Sequence, residues 1–139
     1  MSFTESISTC FSKYVDFSGR ARRSEFWWFA LFLAIVDVAL SLVSDALSGL
    51  WNLGTLLPYA AVAWRRLHDT DRTGLWTLVP LIPLAVMILG MFTGDPYSPG
   101  GPLFMIGLAG VVVMSIVNIV FWASRGTDGP NQYGEDPLA

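Results

Sequence analysis

Apolar residues fill four stretches of the chain, 26–43, 47–64, 75–92 and 103–123, and polar residues separate them. At a rise of 1.5 Å per residue, 18 helical residues cover about 27 Å, close to the thickness of a bilayer's hydrocarbon core. The pattern therefore predicts four transmembrane helices. The second stretch is the least continuous, because Asn52, Gly54 and Pro58 interrupt it; the third contains Pro80 and Pro83, and the fourth is the cleanest. Proline inside a span requires that a neighbouring helix or water satisfy the freed carbonyl.

Residues 2–16 carry a different pattern. Phe3, Ile7, Cys10, Phe11 and Tyr14 fall within about 100° of arc on a helix, and Glu5, Ser8, Ser12 and Lys13 lie outside that arc. Ser2 and Glu5 have capping-box spacing. A short amphipathic helix before the first span is expected, either in the plane of the interface or packed on the protein's own cytoplasmic face. Ser18-Gly19 ends it. The connector 94–102 is rich in Gly and Pro and reads as a loop, and the tail 124–139 is polar and turn-rich. With no internal repeat, the expectation is an all-α polytopic membrane protein forming a single membrane domain, 1–139.

Composition supports the membrane reading: 53% of the 139 residues are hydrophobic and 14% charged, where soluble domains carry roughly 25% charged residues. The placement of charge adds orientation. Lys13, Arg20, Arg22 and Arg23 precede the first stretch, Arg65, Arg66 and Arg72 lie between the second and third, and Arg125 follows the fourth. The other two connectors hold Asp45 and Asp95 and no basic residue. Lys and Arg in short loops are retained on the cytoplasmic side. Both termini are therefore expected in the cytoplasm, with the first apolar run a retained anchor rather than a cleaved signal peptide. Trp27, Trp28, Trp64 and Trp76 suit the interfacial belts. The single cysteine, Cys10, allows no intrachain disulfide.

Four local motifs occur in order: Phe17-Ser-Gly-Arg-Ala-Arg-Arg-Ser-Glu-Phe-Trp-Trp, Arg65-Arg-Leu-His-Asp-Thr, Arg72-Thr-Gly-Leu-Trp and Gly129-Pro-Asn-Gln-Tyr-Gly-Glu-Asp-Pro. Together they resemble the YhaH-like bacterial inner-membrane family, catalogued as domain of unknown function 805, from about Phe11 to Pro137. The resemblance implies a small multi-pass protein of the bacterial cytoplasmic (inner) membrane with no established activity. The chain departs from the family pattern at Asp71, where a small residue such as Gly is expected, and its outer Gly/Pro loop is longer than in the shortest relatives.

Arg20, Arg22, Arg23, Arg65, Arg66, His68 and Asp69 border one membrane face and form the first candidate site. Guanidinium forks bind phosphate, and basic pockets on the cytoplasmic side hold anionic lipid headgroups. The competing reading is structural: orientation signals and snorkelling anchors, or partners for the acidic tail residues Asp128, Glu135 and Asp136. His68-Asp69 has the composition of a proton-transfer pair but also suits a helix-end turn. Asp37 lies roughly in the middle of the first span, where a carboxylate is costly and marks function by default. With Ser41, Ser44, Asp45 and Ser48 it makes a polar stripe, read either as a proton or solute path or as interhelical hydrogen bonding. Asn118 in the fourth span reads as helix–helix glue.

No nucleotide loop, nucleophile elbow or zinc motif is present, so no cofactor, metal or catalytic residue is expected. The expected partners are the bilayer, anionic lipids, and further copies or other membrane proteins, with no nucleic acid. The leading expectation is a non-catalytic binding, assembly or envelope role through the basic face. An oligomeric transporter or channel using Asp37 comes next, and a lipid-modifying enzyme using His68-Asp69 third.

Overall fold

In the computed structural model, Ser2 and Glu5 start the first helix as their spacing predicts: Ser2 Oγ accepts from the Glu5 amide and Glu5 Oε2 accepts from the Ser2 amide. Residues 1–93 and 101–138 are described; the connector expected at 94–102 lies outside them except for its last two positions. The elements are α1 (Phe3–Ser12), α2 (Arg23–Ser41), α3 (Asp45–Asp69), a 3-10 turn (Gly74–Leu78), α4 (Leu81–Thr93) and α5 (Pro102–Ala123). Among the described residues there is no β-strand, only an isolated bridge between Asn131 and Gly134. The fold is all-helical.

Among the described residues, three helical segments are long and apolar enough to cross a membrane: Arg23–Ser41, Gly74–Thr93 and Pro102–Ala123. Only 17%, 6% and 11% of their most apolar stretches are buried inside the protein. Water does not tolerate so much exposed apolar surface, and lipid solvates it. α3 is longer, at 25 residues, but less apolar, and its last part from Ala61 is almost continuously buried.

The contacts divide the chain into two compact units, Met1–Gly74 with Ser124–Ala139, and Leu75–Ala123. In the first unit α2 and α3 run antiparallel, as the pairs Glu25–Arg65 and Asp37–Ser48 require. α1 packs along the first half of α2. Phe11 meets Phe29 and Phe32 edge-on, Phe3 meets Trp28, and Ser6 Oγ donates to the Ser24 carbonyl. Pro58 sits inside α3 and cannot donate to the Gly54 carbonyl one turn back. The Tyr14 hydroxyl donates to that carbonyl instead.

In the second unit the helix expected over 75–92 is broken. Pro80 has no amide proton and disfavours the helical region for the residue before it. The chain therefore runs as a 3-10 turn to Leu78 and restarts as α4 at Leu81. Pro83 is tolerated because it falls in the first turn of α4, where amide protons lack partners anyway. α4 and α5 pack antiparallel at close range. A Cβ on Gly90 would lie 2.3 Å from the Phe104 amide nitrogen, and one on Gly107 would lie 2.3 Å from that of Met87. Small residues at such contacts let helix backbones approach in lipid.

Candidate functional site

The arginine cluster forms where the α1–α2 connector, the end of α3 and the tail meet. Gly19 adopts φ +75°, which turns the chain into the extended segment before α2, and the Ala21 amide donates to the Arg65 carbonyl at 3.1 Å. That bond sets Arg20 beside the last turn of α3. Arg20 Nε donates to Asp69 Oδ1 at 2.9 Å, and its terminal nitrogens donate to the carbonyls of Thr127 and Gly129, both at 2.7 Å. Arg66 donates to Asp69 Oδ2 and to the Ser124 and Ala21 carbonyls. One carboxylate thus holds two buried guanidinium groups, and the remaining N–H groups go mainly to backbone carbonyls. Unpaired charge of this kind would be costly to bury, and full hydrogen bonding is what offsets the cost.

The tail caps α3 in return. The Thr127 amide donates to the Asp69 carbonyl at 2.8 Å, and Asn131 Nδ2 donates to the His68 carbonyl at 2.9 Å. Helix-terminal carbonyls otherwise lack partners. The His68 ring stacks on Tyr133 with centroids 3.8 Å apart and 4° between planes. His68 Nδ1 lies 3.0 Å from the Gly19 carbonyl and so carries the proton there. Burial pushes the imidazole below its usual range, against the opposing pull of that bond. His68 and Asp69 therefore have separate partners and are not brought together as a proton-transfer pair. Gly126 permits the close approach of the tail, since a Cβ there would lie 2.2 Å from Asp69 Oδ2.

The tail contacts the end of α3 and Arg20 through its backbone and Asn131 rather than through its carboxylates. Asp128 pairs with exposed Arg125 at 3.1 Å. Asp136 accepts from the Gly129 and Leu138 amides, and these bonds hold its carboxyl below the usual range. The buried arginines take the tail's backbone oxygens instead.

Arg65 is buried separately. It donates to Glu25 Oε1 at 2.9 Å, while its Nε and Nη2 have no hydrogen-bond partner among the described residues. Burial raises the nearby Cys10 thiol to about 12; the negative Glu25 adds to the rise and Arg65 opposes it. A thiol so placed stays protonated and unreactive.

Arg22 and Arg23 differ from the other three. Neither has an ion-pair partner among the described residues, and both line a cavity of about 430 Å³ with Arg20 and Arg125. Asp69, Asp128 and Asp136 also line it. Asp69 is neutralised by its two arginines, and the exposed Arg125–Asp128 pair is the kind that contributes little. The first turn of α2, which has no side-chain cap, opens here as well and adds the positive end of the helix dipole. Sequence reasoning missed Arg125 as a lining residue, Glu25 as the partner of Arg65, and Asn131 and Tyr133 as the tail's anchors.

Asp37 is placed elsewhere, one turn before the end of α2, nearer its end than the sequence suggested. Its Oδ1 accepts from Ser48 and Asn52. Asn118 is buried in α5, with its Oδ1 lacking a partner among the described residues. Among those residues no three His, Cys, Asp or Glu side chains gather in a metal-binding group.

Residues 14–135 match the family described as protein of unknown function (DUF805). Inner membrane protein YhaI of Escherichia coli strain K12 is 38% identical over 131 residues, covering 89% of this chain and 87% of its own. Inner membrane protein YhaH of the same strain is 33% identical over 135 residues, covering 89% and 88%. Uncharacterized protein YiiR of that strain is 31% identical over 128 residues, covering 87% and 85%. No solved structure matches the chain.

Proposed function

The chain belongs to the DUF805 family of proteins of unknown function, and on that premise we propose that it is a non-catalytic, multi-pass inner-membrane protein whose basic cytoplasmic pocket binds the phosphate of an anionic lipid headgroup. In this reading α3 supplies a further span over about residues 47–64, in addition to the three apolar segments. Pro58 and Asn52 are accommodated in it by Tyr14 and Asp37. Both termini face the cytoplasm, following the sided basic residues. α1 lies at the interface, with its aromatic face against α2.

The observation that carries the reading is a division of labour among the arginines. Arg20, Arg65 and Arg66 are engaged with Asp69, Glu25 and backbone carbonyls. Arg22 and Arg23 border the cavity without ion-pair partners among the described residues. Engaged arginines build a frame, and the two others retain the fork geometry that suits phosphate. The position at the start of α2 beside Trp27 and Trp28 supports a headgroup depth for the pocket.

The test uses nanodiscs of zwitterionic lipid with a rising fraction of phosphatidylglycerol. Thermal stability of the parent protein should rise with the anionic fraction, and that of Arg22→Ala/Arg23→Ala should not. Equal stability of the parent across the series would reject the proposal.

A further inference from the structure

A second cavity, outside the arginine pocket, is built around a carboxylate. It has a volume of about 280 Å³ between α2 and α3, and Asp37, Asn52, Thr55 and Tyr59 line it with Leu33 and Leu56. The Ser48 hydroxyl, at 2.6 Å, and the Asn52 amide nitrogen, at 2.9 Å, both donate to Asp37 Oδ1. Oδ2 has no protein donor among the described residues. Asn52 also gives its nitrogen to Ser48 Oγ at 3.4 Å, which leaves its amide oxygen as an acceptor. Thr55 Oγ1 donates to the Trp51 carbonyl at 2.8 Å and keeps its own lone pairs.

The cavity therefore presents spare acceptors and a carboxylate, and no Lys or Arg among the described residues lines it. A carboxylate within a span is expensive unless something of opposite charge accompanies it. Oxygen donors of this kind suit a hard cation, and a single carboxylate balances a single positive charge. The volume equals that of roughly nine water molecules, enough for an ion with part of its hydration shell. We propose that this cavity is a site for one monovalent metal cation of sodium or potassium size, held by Asp37 and the oxygens of Asn52 and Thr55. Ser48 and Asn52 fix the carboxylate so that one oxygen faces the ion.

The site is independent of the phosphate pocket and can be tested apart from it. Melting is measured in zwitterionic nanodiscs in sodium, potassium or N-methylglucamine chloride at constant ionic strength. Intrinsic tryptophan fluorescence follows the melt, and Trp51, one of six tryptophans, contributes to it from beside the cavity, where its indole donates to the Leu33 carbonyl at 3.3 Å. Sodium or potassium should raise the Tm saturably, by roughly 2–6 °C, and N-methylglucamine should not. Asp37→Asn keeps an acceptor for Ser48 and Asn52 and should abolish the effect. Should that variant fail to fold, Asn52→Ala should raise the half-saturating concentration about tenfold. Arg22→Ala/Arg23→Ala should respond as the parent does. The same Tm in all three salts would overturn the proposal, as would an undiminished response in Asp37→Asn. Stabilisation by acid alone, without cation dependence, would make the occupant a proton and also overturn it.

Discussion

The Tyr14 hydroxyl donates to the Gly54 carbonyl, the acceptor that Pro58 leaves without its helical partner. A residue of the N-terminal segment thus repairs a defect in α3. Tyr14→Phe should destabilise the protein by about 1–2 kcal/mol, read as a lower Tm. In a Pro58→Ala background the alanine amide can take the carbonyl back, so Tyr14→Phe should cost much less. Equal costs in both backgrounds would separate Tyr14 from the proline.

Asp69 is the shared partner of Arg20 and Arg66. Asp69→Ala strands two buried guanidinium groups and should cost about 3–5 kcal/mol. Because Arg20 also grips the tail carbonyls, Arg20→Ala should release residues 124–138 and make them sensitive to limited proteolysis. A tail equally resistant in the parent and in Arg20→Ala would contradict this anchoring.

Asp71 has φ +56°, immediately after the end of α3. The Arg72 amide donates to the Leu67 carbonyl and the Asp71 amide to that of His68, the paired bonds of a Schellman motif. Glycine adopts this conformation without a Cβ penalty, which gives a physical reason for expecting a small residue here. Asp71→Gly should stabilise by about 0.5–1 kcal/mol, less the exposed bond from Gln132 to the Asp71 carboxylate. A lower Tm for Asp71→Gly would mean that this bond outweighs the backbone strain.

His68 is held below its usual imidazole range by burial. The unfolded chain then binds the proton more readily than the folded one. The stability His68 contributes is complete above the unfolded value of 6.5 and is lost as pH falls through the lower folded value. The Tm should drop between pH 7 and pH 5, with a shallower slope in His68→Gln. Identical slopes would place the pH response in other groups.

The hydrophobic pattern made the helices legible, and the Ser2–Glu5 spacing located the start of α1. Of the residues in the basic segments, Arg20 and Arg66 meet at Asp69, whereas Arg65 pairs apart from them with Glu25. What remained hidden has a common cause. The acceptors for Arg20 and Arg66 in the tail are backbone carbonyls, which every residue carries, so no side-chain pattern announces them. The acidic tail residues drew attention because they are charged, yet Asp136 serves backbone amides. Glu25 was overlooked because its arginine lies forty positions away in sequence. The break at Pro80 was present as a proline in a span, but only the register of the following helix decides whether such a residue kinks or interrupts.

In the proposed function Arg22 and Arg23 bind phosphate while the buried arginines support them. Native mass spectrometry of the protein released from bilayers containing phosphatidylglycerol tests it most directly. The parent should retain an anionic lipid. Arg22→Gln/Arg23→Gln should lose it at an unchanged Tm in zwitterionic lipid. A parent that retains no anionic lipid, or a double variant that retains it as well as the parent does, would contradict the account.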